Sequence, residues 1–284
     1  MRSVGSTLNA KGLGAHDHLS WPYDDRRDFC CRVREFLTDG LALGLQCVYA
    51  ADLPIELIVE DLAGMPELQC HIARGALVLR VFSELYPSDA AVDPDAMLAS
   101  FSAATEEALA QGYAGLRVAA DATPVLRSPE QLDAFVAWEN KVDRYMTGQA
   151  FSALCGFERA ALPASAGLAL ACTHPLVREG VTPFQVCASD RGADLAMVGE
   201  LDFTVIDDLR ECLDRTDLLS TPEVVIDGTR LRFVDHRGLE CLRDLAARYG
   251  AIAVLRTSSP TPGRLVELLG LRGIRVEEAE VVGA

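Results

Sequence analysis

The chain reads as an α/β protein built from two units, an N-terminal mostly parallel sheet with flanking helices and a smaller C-terminal α/β unit. Three observations predict this. Short apolar or β-branched runs alternate with segments of helical spacing along the chain. Gly, Pro and Asp punctuate the joins between them. At 284 residues, half of them hydrophobic, the chain is long enough to bury two cores. Alternation of this kind belongs to parallel sheets covered on both faces.

The elements follow in order. Residues 1–15 are expected to be a disordered tail, since they show no periodicity. The polar run Asp24-Asp25-Arg26-Arg27 leads into an amphipathic helix carrying Phe29, Val33, Phe36, Leu37 and Leu41, which Gly40 and Gly44 are expected to close. Cys47–Ala51 is a short central strand. Pro54 sits near the first turn of the next helix, where its missing N–H costs little. Leu77–Phe82 is another strand. Asp93 caps a long helix that runs through Leu109, and Gly112 ends it. Gly115–Ala119 is a strand, Pro129–Tyr145 a helix, and Ala150–Cys155 a further strand. A helix from Pro163 to Cys172 completes the first unit, placed at residues 16–178. Residues 179–183 are the linker, and 184–284 form the second unit. There, Val224–Asp227 reads as a buried strand and Gly228–Arg230 as a polar turn. Asp235 is placed to cap a helix bearing Leu239, Cys241, Leu242, Leu245 and Ala246.

Composition excludes several classes. The net charge of −16 argues against a protein that coats nucleic acid, which needs clustered Lys and Arg against phosphate. No apolar run is long enough to span a membrane, and the first thirteen residues lack the apolar centre of a signal peptide. The nine cysteines are odd in number, scattered, and form no CxxC pair. That pattern fits neither a disulfide framework nor a zinc ribbon, and suggests a cytoplasmic protein. Cys47, Cys155, Cys187, Cys212 and Cys241 lie in apolar runs and read as small core residues. No cofactor is expected. No GxxxxGK[ST] phosphate loop and no GxSxG nucleophile elbow occurs, so the chain is expected not to be an enzyme.

Residues 16–178 carry an ordered series of motifs: His18-Leu-Ser20-Trp-Pro-Tyr23, Phe36-Leu-Thr-Asp-Gly-Leu-Ala-Leu-Gly44, Gly112-Tyr-Ala-Gly-Leu-Arg117, Glu139 on its helix, and Ala153-Leu-Cys155. The series resembles the MEDS domain, a sensory module of prokaryotic regulators with a Rossmann-like or RecA-like alternation of strands and helices. That family opens on His-x-Cys-x-x-Tyr, and Ser20 stands here where its Cys is expected. The resemblance implies sensing of a small organic molecule. His18, Ser20 and Tyr23 would line the pocket, since an imidazole and a phenol can orient a small polar ligand. The same groups would equally serve as structural hydrogen-bonding groups at a strand edge. His16 and His18, without a third ligand nearby, do not make a zinc site. Arg117 and Glu139 would pair across the pocket, or Arg117 would hold a ligand carboxylate, or the two would form a purely structural ion pair.

From Phe184 onward, Val198-Gly-Glu-Leu-Asp202, then Asp235-His236-Arg237-Gly238-Leu239, then Val266-Glu-Leu-Leu-Gly-Leu-Arg272 resemble in order the STAS domain of anti-sigma factor antagonists. The resemblance implies docking on an anti-sigma factor or a serine-kinase-type regulator through Asp202, Asp235, His236, Arg237 and Gly238. The family's phosphorylated Ser corresponds to His236, and imidazole lacks the hydroxyl that would take the phosphoryl group. The expected function is therefore a regulator without the usual serine switch, joining a sensory domain to a partner-binding domain. The alternatives are an α/β enzyme acting on a nucleotide or small metabolite, and an oligomerising scaffold that binds no ligand.

Overall fold

The computed structural model describes residues 2–163, 166–218 and 221–279. The chain divides into two compact units, Met1–Val181 and Thr182–Ala284.

The first unit runs β1 (Gly5–Thr7), β2 (His18–Tyr23), α1 (Arg26–Ala42), β3 (Gln46–Ala51), α2 (Ile55–Asp61), α3 (Leu68–Ala73), β4 (Leu77–Val81), α4 (Phe82–Leu85), α5 (Pro94–Ala110), β5 (Leu116–Asp121), α6 (Pro129–Met146), β6 (Phe151–Glu158), α7 (Ala166–Cys172) and β7 (Leu176–Arg178). The seven strands pair in the order β1-β7-β2-β6-β5-β3-β4, with every pair parallel. Strand alternation divides the core between two faces. Leu19, Trp21, Tyr23 and Leu154 pack with Phe29, Val33, Phe36 and Leu37 under α1. Val118, Ala153, Cys155 and Phe157 pack with Phe135, Val136, Trp138 and Val142 under α6. No helix among the described residues is long and apolar enough to cross a membrane.

Three expectations need correction in this unit. The N-terminal segment is not a loose tail. Gly5 donates to the Pro175 carbonyl at 2.7 Å, and β1 adds an edge strand beside β7. Ahead of it, Arg2 is buried against Asp143. Gly40 does not close α1 but lies inside it, and the helix ends at Ala42. Phe82 leaves the strand and starts the single turn of α4.

The second unit runs β8 (Phe184–Cys187), β9 (Leu195–Leu201), α8 (Ile206–Asp214), β10 (Glu223–Val234), α9 (His236–Arg248), β11 (Ile252–Thr257), α10 (Thr261–Leu269) and β12 (Ile274–Glu278). Its five strands lie in the order β12-β11-β10-β9-β8, with only β8 antiparallel to its neighbour. The turn expected at Gly228–Arg230 is a bulge inside β10. The register against β9 shifts between Asp227 and Arg230 while the strand continues to Val234. Asp227 accepts from the backbone N–H of Thr229 at 2.9 Å, a local turn signature that a bulged strand also satisfies.

Candidate functional site

The face of the first sheet that α6 covers holds a buried polar cluster. α6 starts on a capping box, in which the Ser128 side chain accepts from Gln131 N–H and the Gln131 side chain reaches back, with Pro129 in the first turn. A well-anchored start fixes the rotation of the helix. Glu139 and Asp143 then sit one turn apart, both facing the sheet and both buried. β2 supplies His18, β6 supplies Cys155, and the turn after α7 supplies His174.

These groups converge. His18 Nδ1 lies 3.0 Å from Asp143 Oδ1, and His18 Nε2 lies 3.1 Å from Glu139 Oε2. His174 Nε2 is 3.5 Å from the same Glu139 oxygen, and Cys155 Sγ is 3.5 Å from His18 Nε2. The two imidazole rings approach to 4.1 Å between centroids. Arg2 completes the assembly through its ion pair with Asp143. Glu139 is fully buried and is met by the His18 and His174 rings and by the Cys155 thiol.

Mutual electrostatics tune the cluster. Burial disfavours the charged form of His18, but the hydrogen bonds and charges of Asp143 and Glu139 outweigh it and raise its pKa. Burial pushes the Asp143 carboxyl up, and Arg2 and His18 reverse this and hold it well below the usual carboxylate range. Glu139 is lowered in the same way, with burial overcome by the two histidines. His174 is pushed down to about 4 by burial and by the charge of His18. Burial, with the charge of Glu139, pushes the Cys155 thiol well up. With ring nitrogens, a thiol and a carboxylate facing one another, His18, Glu139, Cys155 and His174 could hold a metal ion.

An apolar cavity of about 40 Å³ opens beside this cluster. His18, Glu139 and Cys155 stand among its lining residues, and Trp138, Phe101 and Phe151 wall the rest. Such a space takes a molecule of only a few non-hydrogen atoms.

The five expected pocket residues separate onto two faces. His18 and Glu139 meet as described. Ser20 shares their side of β2, is fully buried, and its hydroxyl has no hydrogen-bond partner among the described residues. The thiol expected at Ser20 is found one strand away, because Cys155 is the register partner of Ser20. Tyr23 points to the opposite face, stacks on Phe29, and donates to Asp121 at 2.7 Å. There Arg26 bridges Asp121 and Asp61 at 2.9 and 2.6 Å. Arg117 is also on the α1 face. Its guanidinium donates to Ser152 Oγ at 3.0 Å and to the carbonyls of Phe36, Leu13 and Gly14 at 3.0, 2.8 and 2.6 Å. It pairs with no carboxylate among the described residues, and the expected contact with Glu139 does not form. Cys155, His174, Asp143 and Arg2 were missed. Alternation along β2 and β6 would place Cys155 beside His18 and Ser20 once those two strands are known to be neighbours.

In the second unit, Asp202 and Asp235 follow the adjacent strands β9 and β10, joined by the Asp235 N–H to Leu201 carbonyl bond of 3.0 Å. Asp235 caps α9, accepting from Gly238 N–H at 2.9 Å. Asp202 accepts from Thr204 N–H at 2.9 Å, which with the Thr204 hydroxyl lowers its pKa. Gly238 is buried, and a Cβ there would lie 2.8 Å from Val234 Cγ2 and 3.0 Å from the Leu201 carbonyl oxygen. His236 and Arg237 are exposed, as are Phe203 after β9 and Phe233 in β10, at 68% and 48%.

The parallel sheet carries an apolar cavity beside a buried polar cluster, the kind of space in which ligand sites are found. The chain belongs to the MEDS family, the MEthanogen/methylotroph, DcmR Sensory domain, whose model matches residues 17–175. That membership gives the first unit a sensory, regulatory character. A search of curated proteins finds no match for the chain.

Proposed function

We propose that the chain is a sensory regulator whose first unit binds a small, weakly polar organic molecule in the cavity under α6. The cavity carries the reading: apolar walls supply affinity, and the cluster at one end supplies the few polar groups that orient a ligand. The turn from β2 into α1 supports binding over phosphoryl chemistry. It has no glycine to bring backbone close to a phosphate, and the Asp25 side chain already accepts from Arg27 N–H. The second unit is read as a STAS-like module that docks an anti-sigma factor or a related regulator. Exposed Phe203, Phe233, His236 and Arg237, at or just past the C-terminal ends of the interior strands β9 and β10, support this, since aromatic and Arg side chains are enriched in contact surfaces.

Trp138 lines the cavity, and Trp21 is the only other tryptophan. In a Trp21→Phe background, short-chain alcohols, thiols and halocarbons are titrated while Trp138 emission is followed. A saturable change is expected with at least one of these probes, and Ala153→Leu, which fills the cavity, should abolish it. No saturable change with any probe, or an undiminished one in Ala153→Leu, overturns the reading.

A further inference from the structure

We propose that His18, Glu139, Cys155 and His174 form a closed four-ligand site for a divalent cation of the zinc class. Their donor atoms all lie within 4.8 Å of one another. The closest approaches are 3.1 Å for His18 Nε2 to Glu139 Oε2, and 3.5 Å for both His174 Nε2 to Glu139 and Cys155 Sγ to His18 Nε2. Zinc bonds of about 2.0–2.3 Å in a tetrahedron put the ligand atoms roughly 3.3–3.8 Å apart. The three closest separations are close to those of a coordination shell, and the wider ones, up to 4.8 Å, would close on binding.

Hydrogen bonding behind the ligands points the same way. His18 Nδ1 faces the Asp143 carboxylate at 3.0 Å, and His174 Nδ1 faces the Leu170 carbonyl at 2.7 Å. Both partners are acceptors, so each ring carries its proton on Nδ1 and can present the Nε2 lone pair to the centre. A carboxylate behind a ligating histidine is the arrangement that fixes ring orientation in metal sites. Glu139 supplies a separate observation. It is fully buried, and the groups that meet it, the His18 and His174 rings and the Cys155 thiol, are all metal-ligand types. A carboxylate buried among such groups needs a cation beside it, which either a metal ion or an imidazolium at His18 would supply.

Charge closes as well. Glu139, Asp143 and a Cys155 thiolate bring three negative charges, and Arg2 with a divalent cation brings three positive ones. On binding, the S–H bond of Cys155 breaks, sulfur keeps the electron pair, and the proton goes to solvent. A second ring proton on His18, where present, leaves the same way. Imidazole and thiolate select zinc over magnesium or calcium, which take oxygen ligands. Because His18, Glu139 and Cys155 also line the cavity, the cation would form its polar end.

The competing arrangement is an imidazolium at His18 between two carboxylates, with no metal. Cobalt(II) is the probe that separates them. The full-length chain, carrying Cys31→Ser and Cys70→Ser to remove the two cysteines that are not buried, is stripped with chelator and titrated anaerobically. One cobalt per chain is expected, with a thiolate-to-metal charge-transfer band that zinc displaces. Cys155→Ser should delete the band, and Asp143→Asn should weaken binding by about 10- to 100-fold. Should a variant fail to fold, X-ray absorption on the zinc-loaded parent chain decides alone, with one sulfur neighbour expected. A folded chain that retains no metal, a band that persists in Cys155→Ser, or a sulfur count other than one overturns the site. The Trp138 titration needs no metal, so failure here leaves the cavity reading standing.

Discussion

Arg117 shows how a residue type misleads when its register is unknown. Beside an apolar strand it suggests a carboxylate clamp, and the motif around it encourages that view. In the folded chain its guanidinium is spent on Ser152 and three backbone carbonyls, and it lies over the Phe36 ring at 4.3 Å. Burial pushes its pKa down, yet it stays in place because its donors are satisfied. Arg117→Lys keeps the charge but offers one nitrogen where the native fork reaches partners in several directions. At least two buried acceptors would be orphaned, at about 1–3 kcal/mol each. Urea unfolding should show a lower midpoint with an unchanged slope, a loss of about 2–5 kcal/mol. A loss under about 1 kcal/mol would mean that water replaces the fork. His236 is the complementary case, an exposed residue whose chemistry is readable without the fold. If the STAS-like reading holds, His236→Ser should become a substrate for a purified anti-sigma serine kinase that leaves the parent chain unlabelled. Equal labelling of both would refute that account of the substitution.

At the scale of elements, helical spacing located α1, α6 and α9 because each buries one stripe against a sheet, and the Asp93 cap and Gly112 located α5. What the spacing could not give was how closely a helix approaches. From sequence Gly40 suggests a terminator, since glycine weakens a helix interior. It sits inside α1 because a Cβ there would come within 2.4 Å of Arg117 Cδ and 2.8 Å of Cys47 Sγ. Gly156 on β6 plays the same part beneath Phe29, where a Cβ would lie 2.3 Å from the ring. Gly40→Ala therefore sets two effects against each other. The gain in helix propensity is about 1 kcal/mol, and overpacking costs about 1–3 kcal/mol. Net destabilisation is expected in thermal or urea unfolding. Gly167→Ala in α7 meets nothing within 4 Å, and should be neutral or stabilising by up to about 1 kcal/mol. A stabilised Gly40→Ala would show that α1 can lift away from β3 and β5. The strand β10 was legible only in part for a related reason. A bulge and a turn use the same residues, here Asp227-Gly228-Thr229, and only pairing with β9 tells them apart.

Across the whole molecule, the alternation of strands and helices was enough to give the fold class and the order of motifs. Four of the six residues of the cluster escaped, largely because strand order is a non-local property. β2 lies between β6 and β7, so residues more than 130 positions apart, His18 with Cys155 and His174, share one site. Apolar context made Cys155 look like filler, and a turn made His174 look incidental. If the proposed sensory reading holds, occupation of the cavity is felt in the second unit, and coupling between two sites is typically about 1–3 kcal/mol. The exposed start of α9, capped by Asp235, is the segment proposed to meet the partner. Its amide exchange should therefore change when a probe that saturates Trp138 is added to the full-length chain. A coupling of that size changes partner affinity about 5- to 150-fold, and Gly238 and Leu239 are where exchange should report it. Ala153→Leu, with the cavity filled, should leave those amides unmoved by the probe. If saturation leaves every amide of residues 182–279 unchanged, the first unit binds without signalling through this chain, and the output must lie in a partner that reads the first unit directly.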